Sequence, residues 1–140
     1  MLKYIRFFSR SLGLLQVLIS IGAIAGGLNF LRDTSGAGSG FTREQLNGTP
    51  FSDYLIPGLY LLLVGAGTLA AAWLSLLQHP WSAELAIGLG LALMGWITAQ
   101  IFWLGYLNWM QPFYFVLGLL EGGFGACMQR FRDAKALAAN

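Results

Sequence analysis

Glu121 is the residue of this sequence with the clearest capacity for chemistry, because it interrupts an otherwise apolar run, Trp109–Met128. A carboxyl group at membrane depth is costly. It serves as a proton site, a cation site or a latch to a basic partner, unless it stays neutral or snorkels to the interface. Its helical neighbours Gly118, Gly122 and Gly125 put it on a close-packing face, so it should look into an interface rather than at lipid. Gln16 and Ser20, at comparable depth in the first apolar run, are its expected partners.

Gln100 is the second candidate. With Trp96 and Trp103 it forms one helical face at i, i+4 and i+7, and an antiparallel arrangement brings Tyr60 to similar depth. Two readings stand side by side. One is a lined pocket for a lipid, quinone or carotenoid; the other is plain packing with one interhelical hydrogen bond from Gln100. The remaining inventory is thin. His79 and Cys127 are single, so paired axial haem ligands, a standard zinc site, a disulfide and a CxxC pair are excluded, and no metal site is expected. No nucleophile–base pair or paired carboxylates can be assembled either, which argues against an enzyme.

The elements that must position these residues follow from composition. Of 140 residues 56% are hydrophobic and 10% charged, with mean hydropathy +0.64. A typical soluble domain is about 25% charged. Too little polar surface remains to coat a soluble fold, so a soluble enzyme, a disordered chain and a nucleic-acid-binding domain are all improbable. A bilayer core of about 30 Å needs roughly 20 apolar residues per helix. Four stretches qualify: 11–31, 54–77, 85–107 and 109–128, with an outer loop at 32–53 and a tail at 129–140. The expected fold is therefore all-α, a single polytopic domain of four transmembrane helices in a compact antiparallel bundle.

Lys3, Arg6 and Arg10 lie near one end of the chain and Arg130, Arg132 and Lys135 near the other, while the 32–53 loop holds Arg32 and Arg43. The positive-inside bias then places both termini in the cytoplasm. The N-terminal basic residues, the apolar run and Ala23-Ile24-Ala25 also fit a secretory signal, whose removal would leave three spans. The apolar run continues past that site to Leu31, which favours an uncleaved helix. In the loop, Ser35–Gly40 reads as a flexible glycine-serine linker, Thr42–Gln45 as a capping box opening a short helix, and Asn47-Gly48 as the turn that closes it.

Each span carries a stripe of small residues. These are Gly13, Gln16, Ser20, Ala23 and Gly27 in the first; Gly58, Gly65, Thr68, Ala72 and Ser75 in the second; Gly88, Gly95, Thr98 and Gly105 in the third; and Gly118, Gly122 and Gly125 in the fourth. Close backbone approach along such stripes drives helices together in lipid, within one chain, between protomers or against another protein. Tyr54, Trp81, Trp109 and Tyr114 fall near span ends, where amphipathic rings favour the headgroup zone.

The stretch Asn47-Gly48-Thr49-Pro50-Phe51-Ser52-Asp53-Tyr54-Leu55-Ile56-Pro57-Gly58 resembles a signature of small bacterial four-span integral membrane proteins to which no activity is attached. Gly95-Trp96, the Gln100 region, Gly105-Tyr106 and Gln111-Pro112 are similar to later elements of the same proteins. The resemblance implies four spans in a bacterial plasma (inner) membrane and nothing about chemistry. Small multidrug transporters carry their essential glutamate in the first span, where this chain has Gln16. The leading expectation is a non-catalytic accessory or structural subunit that packs on a larger membrane complex or on copies of itself. The alternatives are a small oligomeric transporter or channel using Glu121, and a lipid-, quinone- or pigment-binding protein built around Trp96, Gln100 and Trp103.

Overall fold

The computed structural model describes residues 2–139 and is all-helical. Four long helices, α1 (Leu2–Arg32), α2 (Leu55–Leu76), α3 (Ser82–Leu104) and α4 (Met110–Ala138), are joined by two short turns and one capped loop. Among them, α1, α2 and α3 are long and apolar enough to cross a membrane. The fourth is less clearly apolar, because Glu121 and its glycines dilute the first half and Arg130–Lys135 the second. Its outward side chains Phe113, Val116, Leu119 and Leu120 nevertheless form an exposed apolar face.

Local chemistry sets where the helices begin and end. Asp53 Oδ1 accepts the Leu55 N–H at 3.0 Å, and Asn108 Oδ1 accepts the Met110 N–H at 2.9 Å, so each of these helices starts on a side-chain acceptor. Pro57 and Pro112 sit in the first turns, where a missing N–H costs nothing. At the end of α2, Gln78 N donates to Ser75 O and His79 N to Leu74 O, the pairing of a Schellman turn, with Gln78 at φ 58°. Arg132 of α4 reaches across to this turn, donating to the carbonyls of His79 (3.0 Å) and Pro80 and to Ser82 Oγ (3.1 Å). The far end of α3 stops at Gly105, whose φ of 73° suits glycine.

The expected spans shift accordingly. The first helix starts nine residues before Ser11. The third runs 82–104 rather than 85–107, and residues expected as a tail from 129 continue α4 to Ala138. The helices form two hairpins: α1 packs closely along α2 and α3 along α4, while the hairpins meet through α1–α4 and α2–α3 contacts. Leu12, Ala83, Ala86 and Met128 seal them together toward the chain termini, and Ile19, Leu93 and Leu117 seal them at mid-depth.

Glycine stripes close both hairpins from within. A Cβ on Gly27 would lie 2.8 Å from Gly58 O, and one on Gly65 3.0 Å from Ile24 N. In the second hairpin a Cβ on Gly90 would lie 2.6 Å from Gly118 O, one on Gly118 3.0 Å from Gly90 O, and one on Gly125 2.7 Å from Ala83 O. The expected third-span stripe does not pack inside the bundle. Gly88 and Gly95 face outward with nothing within 4 Å of a Cβ, Thr98 is exposed, and Gly105 belongs to the turn. The buried face of α3 is instead Ala83, Ala86, Gly90, Leu93 and Ile97, so the helix is rotated because Gly90 and the alanines, not Gly95, admit the α4 backbone. Gly122 is also recast: its own Cβ position is open, and it matters as the backbone against which Gly90 lies.

The 33–53 loop folds as a cap, and within it the Ser35–Gly40 stretch is ordered rather than a flexible linker. Asp33 accepts hydrogen bonds from Ser35 N, Ser35 Oγ and Gly38 N, and a 3-10 turn follows at Ala37–Ser39. The short helix forms at Arg43–Leu46, and Gln45 Oε1 accepts the Thr42 N–H as a capping residue should. Tyr54 is a correction to the expected aromatic belt. It is 2% exposed, stacks on Phe30 at 4.9 Å and donates to Thr42 O, so it is the keystone of the cap.

The hydrogen bond from Ser35 Oγ, with those from the Gly38 and Ser35 amides, holds the Asp33 carboxyl below its ordinary 3.8. A carboxyl whose folded value is depressed stabilises its surroundings above the unfolded value and loses that effect as pH falls through the lower folded one. Exchange protection of the Gly38 amide should therefore hold at neutral pH, fall below about pH 4, and be absent in Asp33→Ala at every pH. Protection of the Gly38 amide in the parent no greater than in Asp33→Ala at neutral pH would contradict this role.

Candidate functional site: a cavity between the hairpins and a buried amide–carboxyl pair

Tight packing within each hairpin leaves the space between them to be filled by side chains, and two polar features result at different depths. The first is built on Gln16. Ser75 Oγ donates to Gln16 Oε1 at 2.8 Å, Gln16 Nε2 donates to Glu121 Oε1 at 3.0 Å, and Ser9 Oγ donates to Ser75 O at 2.6 Å. All four residues are fully buried. Glu121 lies eleven residues into α4, about 16 Å along its axis. The chain of bonds ties α4 to α1 and α1 to α2, so it latches one hairpin to the other. Of the two expected partners, Gln16 meets Glu121, while Ser20 donates instead to Val17 O in its own helix. Ser75 and Ser9 were the missed members; Ser75 stood on the second small-residue stripe, whereas Ser9 precedes the stretch read as the first span. Glu121 Oε2 and Thr68 Oγ1 are buried with no hydrogen-bond partner among the described residues.

The second feature is a cavity of about 460 Å³ in the loop-side half of the bundle. It is walled by Ala23 and Gly26 of α1, Leu61 of α2, Leu93, Ile97 and Gln100 of α3, and Tyr114 of α4, with Phe41 of the loop above. The cavity exists because α1 and α4 part company on this side. Below it they meet at Gly22, where a Cβ would collide with the Tyr114 hydroxyl. Above that contact Ala25 and Asn29 of α1 and Met110 of α4 line the cavity and are themselves exposed, so they border a lateral mouth. A smaller cavity of about 40 Å³ lies next to it under the cap, sharing Phe30, Phe41, Trp96 and Gln100 as walls and adding Trp103.

Trp96, Gln100 and Trp103 thus gather on one wall as their spacing implies, and Tyr60 stacks on Trp96 at 4.7 Å while donating to Ala92 O at 3.0 Å. Tyr60 supports the wall from behind rather than lining either cavity. The interhelical hydrogen bond expected of Gln100 is not made; among the described residues its amide stands in the cavity wall without a protein partner. Gln111, also on the wall, is spoken for: its Oε1 accepts the Leu107 N–H at 2.8 Å and its Nε2 donates to Gly105 O. Asn29, Asn108 and Gln111 were not foreseen as lining, and only their polarity near helix ends marked them. Glu121 lines neither cavity.

Together these features define an all-helical protein with at least three helices suited to a bilayer and a laterally open cavity between two hairpins. No protein family, curated protein or solved structure matches the chain.

Proposed function

We propose that this chain is a non-catalytic, four-span integral membrane protein that holds a membrane-soluble apolar molecule between its hairpins. The observation that carries the reading is the 460 Å³ cavity, within the range of small-molecule sites and mostly apolar with a few polar groups, as such sites are. The outward apolar face of α4 supports a fourth crossing, and Lys3, Arg6, Arg10, Arg130 and Lys135 at one end support cytoplasmic termini. The glycine stripes that favoured docking on a larger complex are largely consumed inside the chain, which moves weight from a subunit to a binder. The resemblance to small bacterial four-span proteins supports a plasma-membrane setting for the binder.

The test is extraction. Protein purified in mild detergent should carry a stoichiometric apolar molecule, visible in an organic extract or by native mass spectrometry. Gln100→Leu should reduce its occupancy at least severalfold with the fold intact. An extract free of any bound molecule, together with no binding of added lipids or quinones, would sink the reading.

The accessory-subunit reading keeps one specific support: Gly88 and Gly95 present bare backbone on the outer face of α3, a surface on which another helix can approach closely. Gly95→Leu would then release a partner polypeptide from the purified complex; a partner retained unchanged excludes that face.

A further inference from the structure

The chemistry of the cavity's wall and mouth selects its occupant more narrowly than size does. We infer that the occupant is a single-chain amphiphile with an uncharged head group, such as an isoprenoid quinone, which slides in sideways between α1 and α4 from the loop-side leaflet. This rests on the ligand-holding reading above and adds a ligand class, a route and an orientation to it.

Three observations lead there. First, among the described residues none that lines the cavity is Asp, Glu, Lys, Arg or His. A phosphate or carboxylate head group buried there would be desolvated without a counter-charge, which a charged group tolerates poorly. Second, the polarity is graded. Asn29, Ser39 and Asn108 stand at the loop end, Gln100 on the wall, and Leu93, Ile97, Leu61 and Ala23 line the apolar remainder. A head group with oxygen acceptors finds amide N–H donors near the mouth, and the Gln100 amide has no partner among the described residues, unlike that of Gln111. Third, the mouth faces sideways. Its exposed borders, Ala25 and Asn29 on α1 and Met110 on α4, lie on the two helices above the Gly22–Tyr114 contact, where they first close on each other. A molecule dissolved in the leaflet meets this gap directly, with no need to cross the cap formed by Phe41, Leu46 and Tyr54.

Trp96 in the wall supplies the readout, because a quinone ring is an efficient fluorescence quencher. Purified protein in detergent is titrated with decylubiquinone and, in parallel, with dodecyl phosphate as competitor. Expected are saturable quenching that is largely lost in Trp96→Phe and affinity weakened at least tenfold in Ala25→Phe, whose ring would occupy the mouth. Dodecyl phosphate in equal amount should compete weakly. Leu91→Phe, on the exposed face of α3, should bind as the parent does. If Ala25→Phe does not fold, Gln100→Leu replaces it, with the same tenfold expectation. Displacement of decylubiquinone by an equal amount of dodecyl phosphate to half or less of its quenching overturns the neutral-head assignment and leaves the ligand-holding reading standing. Unchanged affinity in both Ala25→Phe and Gln100→Leu overturns the route and the orientation. Failure of the parent to bind either amphiphile overturns this inference and the underlying reading together.

Discussion

Gly90→Ala is expected to destabilise the protein severely, while Gly95→Ala, five residues further along the same helix, is expected to be neutral or stabilising. The added methyl at Gly90 would sit 2.6 Å from Gly118 O and 2.7 Å from Gly122 N. Both are backbone atoms of α4, so no side-chain rotation relieves the overlap and the helices must move apart. Overpacking that neighbours can absorb costs about 1–3 kcal/mol, and this contact belongs at or above the top of that range. The same substitution at Gly95 meets nothing within 4 Å and gains up to about 1 kcal/mol of helix propensity. Gly122→Ala, whose Cβ would find only Ile87 O at 4.0 Å, belongs with Gly95 despite sitting in the closest part of the interface. Thermal unfolding in detergent, followed by circular dichroism, separates the three. Equal midpoints for Gly90→Ala and Gly95→Ala would show that α3 does not pack on α4 through Gly90.

That contrast also marks how far the sequence could be read. Four helical stretches followed from length and hydropathy, and the pairing of Gln16 with Glu121 from depth alone, because a buried polar group in an apolar run has few places to go. Which face of α3 is buried did not follow. Its apolar residues surround the helix almost evenly, so Gly88, Gly95 and Thr98 made as good a stripe as Ala83, Ala86 and Gly90. Only the α4 backbone distinguishes them. The order of Ser35–Gly40 was hidden for a related reason: the stretch has a linker's composition, yet the Asp33 carboxyl, outside that window, accepts the hydrogen bonds that order it. Similarly, Tyr54 has the character of an interfacial anchor until Phe30 and Phe41, in contact with each other, are both brought against it. The wall of Trp96, Gln100 and Trp103 was legible from spacing on one helix. The lateral mouth was not, since it arises from the divergence of α1 and α4, elements separated by almost the whole chain.

Gln16→Leu should be the most damaging substitution in the polar latch, and more damaging than removal of the carboxyl it binds. The leucine strips a partner from Glu121 Oε1 and from Ser75 Oγ at once, and Glu121 Oε2 already has none among the described residues. Leaving a buried polar group unsatisfied costs about 1–3 kcal/mol; interhelical hydrogen bonds in membranes average about 0.6 kcal/mol because the reference state also finds partners. Two groups orphaned together in a fully buried site put the expected loss near 2–3 kcal/mol. Glu121→Gln should be nearly silent, because an amide oxygen still accepts from Gln16 Nε2. Adding Glu121→Leu to Gln16→Leu should restore part of the stability, since the orphaned carboxyl is then replaced by a side chain suited to its surroundings. The double-mutant cycle should therefore return a coupling of about 1 kcal/mol or more, whereas independent sites add to within about 0.5 kcal/mol. Additivity within that limit would dissolve the latch. A measured coupling would place the firmest polar contact between α1 and α4 below the Gly22–Tyr114 contact, leaving the segments above it free to part around the cavity mouth.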